Sequence, residues 1–210
     1  MRVIAVLNQK GGSGKTTLAT HLARALQLDG AQVLLVDSDP QGSARDWAAV
    51  REDQPVPVIG LDRPTIDRDL KSVANGRDYA VIDGAPQVHN LAVSALKAAN
   101  LVLIPVQPSP YDVWATADLV ELLKQRIEIT NGDLKAVFVI SRAIKGTKIG
   151  NEITEALLGY GLPILISRIT QRVIYPTSAA RGSTVLDDEP EGDAAKEIRA
   201  LTAEVRNVLG

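Results

Sequence analysis

The chain has 210 residues, 45% hydrophobic and 23% charged, enough for one sizeable core in a single domain spanning 1–210. A formal charge of −2 excludes a protein that is basic throughout, although a local basic face can still meet nucleic acid. With no cysteine there is no disulfide framework, thiolate zinc site or cysteine-held iron–sulfur cluster, and a reducing cytoplasm is the expected setting. Met1 to Leu7 is too short an apolar run for a signal peptide and leads straight into a glycine-rich turn, so it reads as a first strand. Further strands are expected at 33–36, 56–59, 80–82, 101–106, 136–140 and 164–166. Helices are expected at 16–28, 43–50, 65–74, 91–98, 111–127, 149–158 and 194–208. The strand runs are rich in β-branched residues and do not alternate with polar ones, the pattern of strands covered on both faces. With an aromatic content of 3%, the core must be aliphatic. The expected class is α/β, a mostly parallel twisted sheet with helices on both faces and right-handed crossovers. The acidic stretch 187–193 reads as a solvated loop with Asp193 capping the last helix. No apolar run approaches the ~20 residues that span a bilayer.

The sharpest motif is Gln9-Lys10-Gly11-Gly12-Ser13-Gly14-Lys15-Thr16-Thr17, placed where a strand ends and a helix begins. Glycines let backbone N–H groups converge on phosphate oxygens, and the helix adds its N-terminal N–H groups and partial positive charge. The pattern assigns Lys15 to the β- and γ-phosphates of a nucleotide and the Thr16 hydroxyl to Mg²⁺. Two later segments also end apolar runs with carboxylates. Leu34 to Gly42 carries Asp37 and Asp39, and Tyr79 to Pro86 carries Asp83. A carboxylate at a strand's C-terminal end facing a P-loop can orient water, accept its proton or hold a hydrated metal.

The P-loop departs from its general pattern, with Gln9 where a glycine is usual and Lys10 after it. Together with Asn8 and the doublet Thr16-Thr17, this deviant Walker A form resembles the ParA/MinD family of P-loop ATPases. The resemblance implies ATP and Mg²⁺ as cofactors and a homodimer formed on ATP binding, with Lys10 reaching the partner subunit's phosphates. A lysine serving its own subunit is the alternative that spacing leaves open. By the same resemblance Asp39 is the hydrolytic residue, Asp37 lies near the metal, Asp39 and Asp83 hold Mg²⁺, and Gly84 and Ala85 leave room near the γ-phosphate. Arg142 stands where relatives place a residue near the adenine, and a plain surface arginine is the competing reading. The three-proline loop 105–110 resembles a nucleotide-responsive segment of small ParA proteins, or is an ordinary rigid turn.

Between residues 135 and 182 the chain carries a net charge of +5, leaving −7 elsewhere. A phosphate-binding face with salt-sensitive, non-specific DNA affinity would follow. ParA-type relatives bind DNA in this way when ATP-loaded. The candidates are Arg168, Arg172 and Arg181, then Lys145 and Lys148. The resemblance further implies slow hydrolysis stimulated by a centromere-binding adaptor protein, and a cytoplasmic, nucleoid-associated role in plasmid or chromosome partition. With the first strand starting at Arg2 there is no room for an N-terminal helix-turn-helix, so operator-specific repression is not expected. Ile198, Leu201, Val205 and Val208 recur at helical spacing amid charges of both signs, which suits core packing and gives no membrane partner. Two alternatives stay open. One is the same chemistry positioning a protein body such as carboxysomes; the other is a carboxylate-activating ligase of the dethiobiotin-synthetase type. A nitrogenase-reductase role fails for want of thiolates.

Overall fold

A computed structural model describes residues 1–86, 89–144 and 149–210. Six parallel strands form one sheet in the order β3-β2-β4-β1-β5-β6: β1 is Arg2–Val6, β2 Val33–Asp37, β3 Val58–Gly60, β4 Tyr79–Asp83, β5 Leu101–Val106 and β6 Lys135–Ile140. The expected class, a parallel α/β sheet of P-loop NTPase architecture, is the one observed. Successive strand residues feed two separate cores. Ile4, Val6, Leu35 and Leu103 face one way, onto α1 (Lys15–Leu28), α2 (Ser43–Ala49) and the C-terminal elements. Val3, Ala5, Val36 and Ile104 face the other, onto α3 (Ile66–Val73), α4 (His89–Ala98), α6 (Ala117–Ile129) and α7 (Ile149–Leu158). Strands buried on both faces therefore account for the missing alternation.

The long helix α1 shows how the sequence positions the site. Leu18, Leu22 and Leu26 recur every four residues, fall on one stripe and are almost wholly buried, at about 2 kcal/mol for each such side chain. That stripe holds the helix against the sheet, with its N-terminus at the carboxyl end of β1. Beside it, β4 is inserted between β1 and β2, so Val6, Asp83 and Asp37 stand in one register row at the strand ends. Ligands of open α/β sheets collect at such a strand-order reversal.

Four expectations need correction. The helix at 111–127 is two helices, α5 (Pro110–Trp114) and α6 (Ala117–Ile129), because buried Thr116 turns its hydroxyl back to the Val113 carbonyl at 2.6 Å. After α7 (Ile149–Leu158), the strand at 164–166 does not form, and only the bridge between Phe138 and Ile164 remains. Its later N–H groups, on Ile166 and Ser167, go to the Glu204 carboxylate at 2.7 Å each. The acidic stretch is not a free loop, since Asp187 and Asp188 belong to α9 (Val185–Asp188), which follows α8 (Ile174–Ala179). Asp187 closes a capping box with Thr184 and accepts from Arg24 Nε of α1 at 2.8 Å. Finally, the N-cap of α10 (Asp193–Leu209) is Gly192, with Asp193 inside the first turn. As expected of that helix, Ile198, Leu201 and Val205 are buried in the core.

Candidate functional site

The turn from β1 into α1 is built around two left-handed glycines, Gly12 at φ 75° and Gly14 at φ 94°, conformations that side chains resist. Among the described residues, nothing lies within 4 Å of where a Cβ would stand on Gly11 or Gly12, so the loop's backbone faces open space. The loop is fixed from behind. Asn8 accepts the Lys10 N–H at 2.9 Å and donates to the Pro105 carbonyl at 2.7 Å. Gln107 donates to the Gly12 carbonyl at 2.8 Å and the Ser141 hydroxyl to the Ser13 carbonyl at 2.8 Å. The three-proline segment 105–110 thus braces the P-loop directly.

Lys15 is buried at the start of α1, where its ammonium donates to the Lys10 carbonyl at 3.1 Å. Burial lowers its pKa, against the opposing pull of Asp83 and Asp39. Asp83, 1% exposed, has both carboxylate oxygens buried; neither makes a hydrogen bond of good geometry among the described residues, and the Thr16 hydroxyl and Lys15 ammonium are its polar neighbours. Burial pushes its pKa up to about 7. The Thr16 hydroxyl and Lys15 oppose that rise, while Asp37 and Asp39 reinforce it. A buried carboxylate with only a threonine hydroxyl and a lysine beside it fits a cation, which would offset the cost of burying its charge. Asp37 is instead spent on structure. Its two oxygens accept the Asp39 N–H at 3.0 Å and the Arg45 N–H at 2.9 Å, shaping the turn that carries Asp39. Asp39 is half-buried, accepts the Gln41 N–H at 3.0 Å, and lies within electrostatic reach of Lys15 and Asp83. Gly84 also serves the packing of the sheet. A Cβ there would stand 2.3 Å from Leu7 Cδ2 and 2.7 Å from the Val6 carbonyl oxygen, so the glycine lets β4 close against β1.

Lys10 is held by a residue that sequence reasoning missed. Its ammonium pairs with Asp112 of α5 at 2.6 Å, and that carboxylate is only 3% exposed. An acid two residues after the last proline of a strand-end loop was the available signal. Beside Gly14 and Thr17 opens a cavity of about 660 Å³, large enough for a nucleoside and bounded by Ser141, Arg142, Thr170, Arg172 and Tyr175. Arg142 has the left-handed φ of 50°, uncommon outside glycine, and is exposed at the cavity's rim.

The basic candidates are dispersed among different roles. Arg172 lines the cavity and is matched by Glu197 at 2.9 Å and Asp193 at 3.3 Å. Half-buried Arg168 donates to the Thr154 hydroxyl at 3.3 Å. Arg181 follows α8 with its side chain 64% exposed, 3.4 Å from Asp188. Lys145 and Lys148 lie outside the described residues.

A strand, a glycine turn, a lysine-headed helix and a buried carboxylate on the adjacent strand define a P-loop nucleotide-binding protein. The chain belongs to the CobQ/CobB/MinD/ParA nucleotide binding domain family, which it matches over residues 4–185. It is 32% identical over 208 residues to the maintenance of carboxysome distribution protein A of Halothiobacillus neapolitanus, covering 96% of this chain and 95% of that protein. It is 30% identical over 237 residues to the chromosome-partitioning ATPase Soj of Thermus thermophilus, covering 98% and 95%. Among solved structures, the fold is shared with an ATP complex of a Cyanothece McdA variant at a TM-score of 0.78 and 18% identity, over 98% of this chain and 96% of that one. It is shared also with the septum site-determining protein MinD of Pyrococcus horikoshii, complexed with Mg-ADP, at 0.77 and 20%, over 100% and 97%. Among the described residues, no helix is long and apolar enough to cross a membrane.

Proposed function

We propose that this chain is an ATP-switched ATPase that dimerises on Mg-ATP, binds DNA non-specifically in that state, and drives partition of a plasmid or chromosome. The observation that carries the nucleotide chemistry is Asp83, a buried carboxylate beside Thr16 and Lys15 whose oxygens make no hydrogen bond of good geometry among the described residues. Thr16, Asp83 and Asp39 would hold Mg²⁺, directly or through water, and the ion would neutralise charge on the phosphate oxygens. The N–H groups of Gly11, Gly12, Ser13, Gly14, Lys15, Thr16 and Thr17 would bind the phosphates, with the Lys15 ammonium leaving the Lys10 carbonyl for them. Asp39 orients the attacking water and takes its proton. Arg142 stands at the rim of the base pocket.

Dimerisation through the P-loop face is supported by α5. Tyr111 and Trp114 are 72% and 65% exposed there, packed edge to face at 5.4 Å on the same short helix that holds Lys10 through Asp112. Two large apolar rings beside a nucleotide site suit a surface that a second copy covers. For DNA, Arg181 is the strongest described candidate, because the charge of Arg172 is already matched. An adaptor protein would stimulate hydrolysis and so time release. A second reading keeps the same chemistry but places a protein body as the cargo, favoured by the likeness to a carboxysome distribution protein along nearly the whole of both chains.

Sedimentation velocity without nucleotide, with Mg-ADP and with Mg-ATP tests the switch. A dimer is expected with Mg-ATP alone, absent in Lys15→Ala and weakened at least about tenfold in Lys10→Ala. A monomer in all three conditions sinks the proposal.

A further inference from the structure

The cavity beside the P-loop is walled partly by backbone that belongs to no strand. Residues 169–171 are tied on one side to the chain leaving β6: Ile169 N–H donates to Ile140, Ala143 N–H to Ile169 and Gln171 N–H to Ala143, each at 2.9 Å. On the opposite side no described strand pairs with them, and α10 takes its place. Glu204 accepts the N–H groups of Ile166 and Ser167. Seven residues earlier on the same face, Glu197 accepts the Thr170 N–H at 3.0 Å, the Thr170 hydroxyl at 2.9 Å and the Arg172 guanidinium at 2.9 Å. The two carboxylates do the same structural work with one difference. Thr170 and Arg172 line the cavity, whereas Ile166 and Ser167 do not.

The geometry points to Glu197 as a positioning residue for the nucleoside: it fixes Thr170 and Arg172 in the wall on which the base and sugar rest, from a helix otherwise committed to the core. This rests on the reading of the cavity as the nucleoside seat. Three charge-assisted bonds converge on one carboxylate, so its removal frees a buried N–H and leaves the Arg172 guanidinium to the longer contact with Asp193 alone, both at the cavity surface. The bonds described above that brace the phosphate-binding loop do not involve α10, so removal of the Glu197 carboxylate leaves them in place.

Equilibrium dialysis of Mg-ATP and of inorganic tripolyphosphate against the full chain, Glu197→Ala and Glu204→Ala, with thermal melts alongside, separates positioning from general stapling. Both variants are expected to lower Tm. Glu197→Ala alone is expected to weaken ATP, by about tenfold, while tripolyphosphate changes less than about twofold. Glu197→Gln, which keeps one acceptor, shifts ATP in the same direction and serves if the alanine variant does not fold. Equal weakening of ATP in the Glu197 and Glu204 variants, or parallel loss of ATP and tripolyphosphate, would overturn the assignment of Glu197 while leaving the nucleotide site standing. Absence of ATP binding by the unaltered chain would overturn the nucleotide site itself, and this inference with it.

Discussion

At the scale of single residues, Lys10 and Asp112 are linked in a way that alters how a Lys10 variant must be interpreted. Removing the lysine leaves a carboxylate that is 3% exposed without its cation. Lys10→Ala is therefore expected to cost about 1–3 kcal/mol of stability, the lysine itself being partly solvated, and to lower Tm in the absence of any nucleotide. Asp112→Asn in the Lys10→Ala background should restore most of that loss, and a double variant no more stable than Lys10→Ala would contradict it. His21 gives a pH dependence. Its Nδ1 bonds the Thr17 carbonyl at 2.7 Å and its Nε2 accepts the Val185 N–H at 3.2 Å, an arrangement that suits the neutral ring. Burial depresses its pKa from 6.5 to about 4, overcoming the Thr17 carbonyl and the charges of Asp187 and Asp188. Between those values the unfolded chain holds a proton that the native state refuses, so acid favours unfolding and this contribution is lost as pH falls from about 6.5 to about 4. Denaturant titrations at pH 7.5 and 4.5 should show a smaller acid loss in His21→Gln than in the unaltered chain; equal losses would remove His21 as the cause.

At the scale of elements, Gly84 decides how closely β4 approaches the end of β1. Gly84→Ala must displace the Leu7 side chain and the Val6 carbonyl, and a cost of about 1–3 kcal/mol is expected in urea unfolding. No change would mean that the two strand ends are free to part. The same scale shows what the sequence makes legible. The P-loop, Asp39 and Asp83 each follow an apolar run within a few residues, so strand, turn and chemistry are contiguous and read together. The pairing of Lys10 with Asp112 spans 102 positions, and that of Thr170 with Glu197 spans 27, distances across which composition and periodicity carry no signal. The missing strand at 164–166 failed for a related reason. Its apolar residues say that it is covered, but not that Glu204 of α10 takes the N–H groups a strand would place in the ladder. The split between α5 and α6 turns on one buried threonine hydroxyl whose target is three residues back, a choice that apolar spacing does not encode.

At the scale of the whole molecule, the fold collects nucleotide chemistry at one end of the sheet, while a chain that is acidic overall carries a net positive charge in residues 135–182. In the proposed function, nucleotide bound at the first controls DNA binding at the second. Fluorescence anisotropy of a non-specific DNA duplex, measured with no nucleotide, with Mg-ADP and with Mg-ATP at low and moderate salt, tests it directly. Binding is expected with Mg-ATP alone, falling steeply with salt, lost in Lys15→Ala and weakened severalfold in Arg181→Glu. Binding that is absent, or equal, in all three nucleotide conditions would contradict the account.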